Sequence, residues 1–395
     1  MSFNIALSGI NAINNGLETI SNNIANAGTY GYKASRANFA SMYAGNQPSG
    51  VEVGSITQSI GKGGSVLTTG RGLDVAIQGR GFFTTRDTNG AMMFSRVGIF
   101  SVDQEGFIVD TFGRKAQGYA AIPNSTALGA MGDLKVPTGQ IPAQASDTVT
   151  YVGNLSADWP TPTVTPFDPA NPSSFNSATV SVVYDSLGKQ HTVTQYFVRS
   201  DTSQFTVHYA FDGAAVATTS TLDFGTDGRL QSPAAPVPLA LGTPDGAEPL
   251  TVSIDYAGTT QYAGEAVTLA NTSNGNASGL MTGVQISENG SVMAQYSNGQ
   301  KQRIGTLAIA TFPNEDGLVA VSDTSWTTSN TSGNPLFSPA GVGMAGSLAV
   351  GAIEQSNVDV ASELVNLMSS QRNYQANSKV ISTGNQMMQA LMQAV

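Results

Sequence analysis

The two ends of this chain carry a pattern that its interior lacks. Over residues 1–27, Phe3, Ala6, Ile10, Ile13, Leu17, Ile20, Ile24 and Ala27 recur in alternating steps of three and four. Over residues 357–395, Val360, Leu367, Tyr374, Ile381, Met388 and Val395 fall seven apart, with Leu364 and Met392 in two of the alternate positions. Such spacing lays an apolar seam along one side of a helix, and a seam has to be covered by another helix. Residues 28–356 read as strands and turns and show no third amphipathic helix. The ends are therefore expected to pair with each other or with their counterparts in neighbouring copies. The chain reads as mainly β with α-helical termini. It is nested, so that it leaves through each layer and returns through it.

Composition narrows the function. Charged residues make up 11% of the 395 residues, against about 25% in a typical soluble domain. The net charge of −10 argues against a nucleic-acid partner, which needs clustered Lys and Arg, and against docking on anionic lipid. There is no Cys, which excludes disulfides, thiolate metal sites and Cys nucleophiles. No apolar run approaches the ~18 residues of a membrane span, so no membrane insertion is expected. No Lys or Arg precedes Lys33, so the basic start of a secretory signal is missing, and any export is expected to proceed without a cleaved signal peptide.

The first helix is intrinsically poor. Seven Asn fall within its first 26 residues, and Gly9 and Gly16 each cost about 1 kcal/mol relative to Ala. It is expected to be disordered in the free monomer and to fold on assembly. Residues 28–72 read as a Gly-rich extended connector with short strands at Val51–Thr57 and Ser65–Thr69. Strands follow at Asp74–Ile77, Phe82–Thr85, Met92–Phe94, Phe100–Val102 and Phe107–Val109, with turns at Asn89-Gly90 and Glu105-Gly106. Residues 123–175, rich in Pro, Ala, Ser and Thr, read as a boundary or long loops. Ala178–Asp185, His191–Arg199 and Phe205–Phe211 form a clear three-stranded meander, and further strands are expected at Val284–Ile286, Val292–Tyr296 and Arg303–Phe312. The last helix is expected to be capped by Ser356, with Asp359 completing a variant capping box. At ~1.5 Å per residue it would be about 57 Å long. After Glu363 it has no acid and only Arg372 and Lys379 as bases. A neutral helix can face close copies of itself without like-charge repulsion.

No constellation for catalysis stands out. His191 and His208 lie in strands of one meander and read as packed or surface residues, without the partners of a triad or a metal site. Gly61-Lys62-Gly63-Gly64-Ser65 lacks the spacing of a phosphate loop. Asp103-Gln104-Glu105-Gly106 lacks the ligand spacing of a Ca²⁺ loop. No enzyme activity, cofactor or metal is expected.

The run Ser21-Asn22-Asn23-Ile24-Ala25-Asn26-Ala27-Gly28-Thr29-Tyr30-Gly31-Tyr32-Lys33 resembles the N-terminal signature of bacterial flagellar rod and hook proteins. Asn22, Asn23, Asn26, Thr29, Gly31 and Lys33 carry the match. Ser356-Asn357-Val358-Asp359, Glu363-Leu364-Val365 and Gln371-Arg372-Asn373-Tyr374-Gln375-Ala376-Asn377 resemble the same family's C-terminal signature, through Asn357, Asp359, Gln371, Arg372 and Tyr374. Thr69–Ile77 and Phe94–Gly98 resemble its shared β region. Val183-Tyr184-Asp185-Ser186-Leu187-Gly188, followed by His191, resembles the outer domain that hook members carry and shorter rod members lack.

The resemblance implies a structural subunit of the flagellar hook, self-assembling into a flexible curved tube that passes motor torque from rod to filament. It implies an inner helical layer of residues 1–30 with 357–395 and a connector of 31–70. It also implies a middle β domain of 71–145 with 283–356 and an outer β domain of 146–282. Ile10, Ile13, Leu17, Ile20, Ile24, Leu364, Leu367, Tyr374, Ile381 and Met388 would carry assembly in the inner layer, and Gly28, Gly31, Gly45, Gly50, Gly54, Gly61, Gly63 and Gly64 would give the connector freedom. The implied partners are copies of the chain itself, the rod and hook–filament junction proteins, the hook cap and the type III export apparatus, at an extracellular location in the flagellum. Another axial flagellar protein, of the rod or the junction, is the alternative. A secreted β-rich adhesin would leave both helical stripes unexplained.

Overall fold

The computed structural model describes residues 2–122 and 125–394. Val395, the last heptad position, lies outside them. Helix α1 spans Ser2–Ala25 and helix α2 spans Val360–Ala394. These are the two long helices among the described residues, and everything between them is strand, turn or short 3₁₀ turn.

Helix α2 starts later than Ser356. Its cap is Asp359, whose carboxylate accepts from the Ala361 and Ser362 N–H groups at 3.0 and 3.4 Å and from the Ser362 hydroxyl at 2.8 Å. Ser356 instead serves the Val358 N–H at 3.3 Å. Asn357 is held away from the helix by donating to the Ser59 and Lys62 carbonyls at 3.0 and 2.9 Å. With 35 residues the helix is about 52 Å long at ~1.5 Å per residue.

The chain divides into two compact units. The first combines Met1–Thr138, Gly283–Gln295 and Lys301–Val395; the second is Gly139–Thr282 with Tyr296–Gln300. The first unit contains both helices. Its β core gathers Ile60, Phe82, Phe94, Ala310, Phe312, Leu318 and Trp326. Phe312 meets Phe94 and Phe82 edge-on, with ring centroids 4.9 and 5.9 Å apart, a favoured aromatic geometry. Trp326 sits in a strand, Ser325–Thr327, that pairs with Met92–Ser95.

The second unit is built on an antiparallel sheet of Ser177–Tyr184, Gln190–Asp201, Gln204–Phe211, Ala214–Phe224 and Leu230–Ser232, in that order. A four-stranded sheet accompanies it, in the order Val237–Ala240, Thr251–Asp255, Thr148–Asn154, Val267–Ser273. Alternate residues Val193, Phe197, Phe205, Val207 and Tyr209 turn inward onto Val149, Tyr151, Val252 and Ile254, as the two-residue period of a strand requires. The turn at Ser186–Lys189 closes with Gly188 at φ +81°. Residues 123–175, expected as loops, include the strands Leu128–Asp133 and Thr148–Asn154.

The segment expected as an extended connector is largely a long antiparallel hairpin. Strand β1 (Ser35–Ala44) and strand β2 (Gln47–Gln58) pair from Ser35↔Gln58 to Ala44↔Gln47, with two irregularities of register. The hairpin packs along α1. The Ser8 hydroxyl accepts from the Val51 N–H at 3.2 Å, and Phe39 reaches Gly16.

Candidate assembly interface

The two helices run antiparallel. Asn23 donates to the Glu363 carboxylate at 2.9 Å, and Gly9 lies against the side chain of Asn377. The residues of α1 that bury best are Ala6, Gly9, Ala12, Gly16, Thr19 and Asn23. They repeat in threes and fours and are small or polar. Backbones can approach closely along such a line, which is why glycine is present: a Cβ on Gly9 would stand 3.2 Å from Asn377, and one on Gly16 would stand 3.1 Å from Phe39. Gly9 and Gly16 weaken the isolated helix, and here Gly9 is where it meets α2 and Gly16 is where it meets the hairpin.

The apolar residues expected to form the seam flank that line. Ile10, Ile13, Leu17, Ile20 and Ile24 are each partly covered, while Phe3 is exposed. On α2, Leu367 and Ile381 are partly covered, as are Glu363, Ser370, Asn377 and Gly384. The face toward α1 thus alternates heptad apolar residues with small or polar ones. Leu364, Tyr374 and Met388 remain exposed, Leu364 by 46% and Met388 by 66%. Gln371 and Arg372 also point to solvent. Leu364 and Gln371 sit one position beyond Glu363 and Ser370, about 100° around the helix, which carries them off the α1-facing line.

Where the helices meet the β core, both signature motifs converge. The Asn23 carboxamide accepts from the Ser35 N–H at 2.9 Å and donates to the Ser35 carbonyl at 2.7 Å. It also accepts from the Tyr32 hydroxyl at 3.2 Å. Asn357 accepts from the Ala34 N–H at 2.7 Å. Gly31, at φ +67°, donates its N–H to the Glu354 carbonyl at 2.9 Å, and a Cβ there would fall 2.9 Å from Val97. Asn26 closes the end of α1 by donating to the Asn22 side chain at 2.8 Å, and it accepts from the Thr29 hydroxyl at 3.1 Å.

At the centre lies a buried ionic cluster. Lys33 Nζ is 2.6 Å from Glu354 Oε1, with the two side chains 0% and 2% exposed. Lys33 also donates to the Lys62 carbonyl at 2.8 Å. Arg96 reaches Glu354 Oε2 at 3.5 Å, and the Gly64 N–H donates to Oε1 at 2.9 Å. Burial holds Lys33 and Arg96 below their ordinary pKa values, against the opposing pull of Glu354. The cluster joins residues far apart in sequence: the strand leading back to α2, the connector and the loop after Ser95.

The histidines offer no chemistry. The His191 ring lies 2.6 Å from Asp212 through Nδ1 and 3.3 Å from Asp185 through Nε2, so neither nitrogen is free for a nucleophile. His208 stacks on Phe167 with centroids 4.1 Å apart.

Four stretches match family descriptions. Residues 3–33 match "Flagella basal body rod protein", and 349–394 match "Flagellar basal body rod FlgEFG protein C-terminal". Residues 76–149 match "Flagellar hook protein FlgE/F/G D1 domain", and 154–276 match "Flagellar basal body protein FlaE D2 domain". The flagellar hook protein FlgE of Escherichia coli (strain K12) is 38% identical over 400 residues, covering 99% of each chain. This chain belongs to the flagellar hook protein family. The hook protein FlgE of Salmonella typhimurium is likewise 38% identical over 402 residues, again covering 99% of each chain. The hook protein of Brucella abortus is 31% identical over 396 residues, covering 98% of this chain and 96% of its own. The Helicobacter pylori flagellar hook protein FlgE2 shares the fold, with a TM-score of 0.54 at 14% identity over 71% of this chain and 98% of that one.

Reading the sequence for apolar period finds Ala6 but misses Gly9, Ala12 and Gly16, because glycine and a lone alanine off the stripe add nothing to it. Glu354, the shared anion of the cluster, is missed for another reason. It stands alone between β-type residues, and nothing local marks it as the partner of Lys33.

Proposed function

We propose that this chain polymerises into the flexible curved tube of the flagellar hook, a universal joint that transmits torque from rod to filament. It is a structural protein of the hook, not an enzyme. The observation that carries the reading is the state of the helix pair. The two termini are anchored together at one clasp, yet Phe3, Ile5, Leu7, Leu364, Val365, Met368, Met387, Met388 and Met392 remain exposed. Uncovered apolar area on that scale marks an interaction surface, and helices of this pattern are covered by other helices. The partners are copies of the chain, the rod and junction proteins at the two ends of the tube, and the cap and export apparatus during assembly. The hook lies outside the cell, reached without a cleaved signal. Residues 1–30 and 357–395 form the inner layer, 71–145 with 283–356 the middle layer and 146–282 the outer layer.

A joint that bends while it turns needs contacts that shift. Gly64 is packed against Gln355 and Gly31 against Val97, so the give is assigned to the contacts between subunits. The charge-poor surface lets those contacts slide without breaking strong ion pairs. Immunogold electron microscopy with antibody to residues 146–282, on intact cells sheared of filaments, tests the reading. Label on a short curved stub at the cell surface is expected. Label spread over the envelope would sink it in favour of an adhesin, and label only on stripped basal bodies would point to a rod part.

A further inference from the structure

The two helices are unequal, with 24 residues in α1 and 35 in α2. Their register fixes where the excess falls. From the Asn23–Glu363 contact, fourteen residues back along α1 and fourteen forward along α2 lead to the Gly9–Asn377 contact. Seven more along each bring Ser2 level with Gly384. Residues 385–394 therefore continue α2 beyond the described end of α1, for about 15 Å at ~1.5 Å per residue. Met387, Met388 and Met392 on this overhang are 63%, 66% and 77% exposed. The segment contains no charged residue.

Beside the helix pair runs a groove of about 470 Å³, between α1, the hairpin and α2. Gly9 and Ile13 of α1, Phe39 and Val51 of the hairpin, and Asn373 and Asn377 of α2 line it. No charged side chain is among its lining residues.

We infer that the overhang 385–394 of one subunit seats in this groove of a second subunit. The inference rests on the hook-polymer reading and names which surfaces meet. Four observations select the occupant. The overhang is the same continuous helix that forms the groove's wall at Asn373 and Asn377. Met388 is eleven residues beyond Asn377, about 16 Å away along a straight helix, so it cannot reach its own groove. The heptad line Tyr374, Ile381, Met388 runs without a break from the α1-covered part of α2 into the overhang, so a surface of the same kind, another copy of α1 and its hairpin, continues the interface. Finally, groove and overhang are both uncharged, in a chain of net charge −10, so joining them confines no like charges. Methionine suits this contact because its unbranched side chain adapts to an irregular apolar surface.

The absence of cysteine makes the test clean. In the double variant Val51→Cys, Met388→Cys, every subunit has one thiol in the groove and one on the overhang. Oxidised hooks are expected to give a ladder of dimers, trimers and higher species on non-reducing gels. Each single variant is expected to stop at dimers or give none. Hooks that form normally yet yield no ladder would overturn the docking while leaving the polymer reading intact. Absence of any hook stub on wild-type cells would instead overturn the polymer reading. A second variant ending at Gly384 guards against a double variant that does not assemble. Its purified monomer is expected to keep the tryptophan fluorescence of the full chain and to form no polymer. Normal polymer from this truncated chain would also overturn the inference.

Discussion

Removing Glu354 should damage the first unit more than removing Lys33, because of what each change leaves behind. Glu354 is the only anion within bonding reach of Lys33 and Arg96 among the described residues, and it also accepts from the Gly64 N–H. Glu354→Ala strands two buried cations. Breaking a buried pair in this way costs about 3–5 kcal/mol. Lys33→Met leaves Glu354 with Arg96 and the Gly64 N–H, so the loss is closer to that of one charged hydrogen bond, about 1.5–3 kcal/mol. Either figure is a large share of the ~5–15 kcal/mol that holds a domain folded.

The chain has two Trp, Trp326 in the core of the first unit and Trp159 against the core of the second. Urea unfolding in a Trp159→Phe background therefore reports the first unit alone. The alkaline response supplies a second check. Burial already holds Lys33 below its ordinary value while Glu354 opposes that shift, so removing Glu354 lowers it further. Between the lowered folded value and the unfolded value of ~10.4, the unfolded state binds more protons, and stability rises with pH. The Glu354→Ala deficit should be full below the lowered folded value and shrink as pH climbs through the window above it. Equal losses from the two substitutions, or a deficit that grows with pH, would refute the reasoning.

Leu17→Asp or Ile381→Asp should abolish hook assembly in cells while circular dichroism of the purified chains keeps the β signature; normal hooks from either variant would remove these residues from the interface. The connector glycines should split by environment. Gly64→Ala drives a Cβ to 1.9 Å from the Gln355 carbonyl oxygen and should cost about 1–3 kcal/mol by overpacking. Gly28→Ala meets nothing within 4 Å and should stabilise by about 0.4–1 kcal/mol, both read as shifts of the first unit's urea midpoint. The Asp359 carboxyl is held below its usual value by the Ser362 hydroxyl and by the Ser362 and Ala361 N–H groups. Its support for α2 is thus present above the unfolded carboxylate value of ~3.9 and lost as pH falls through the lowered folded value. Amide exchange at Ala361 and Ser362 should quicken in that acid range, and Asp359→Asn, which still caps, should abolish the pH dependence.

The terminal helices were legible because a 3–4 apolar alternation is a helix signal in any context, and Val193, Phe197, Phe205 and Val207 declared their sheet by alternation. The face of α1 that packs best was legible only at Ala6, since Gly9, Ala12 and Gly16 register as gaps in a hydrophobic count. Strand β1 was hidden by Ser35, Ala37, Asn38, Ala40 and Ser41, none a strong strand former, and its pairing with β2 and α1 outweighs that weak preference. Ser356 and Asp359 were both sound caps on local grounds. What selects Asp359 is the grip of Ser59, Lys62 and Ala34 on Asn357, which no local window contains. Lys33 and Asn357 were visible as motif residues, but their joint role depends on contacts spanning roughly the whole length of the chain.

The clasp also decides which parts of the molecule bear mechanical load. Any pull that separates α1 from α2 arrives at Asn23 and Glu363 and is handed at once to Ser35, Asn357, Lys33 and Glu354. Tension therefore crosses from the outgoing strand of chain to the returning one within a few residues of the helices, and the covalent path through residues 65–350 is bypassed. The β segments strung along that detour can change shape, lengthen by insertion or exchange their loops without entering the line of force.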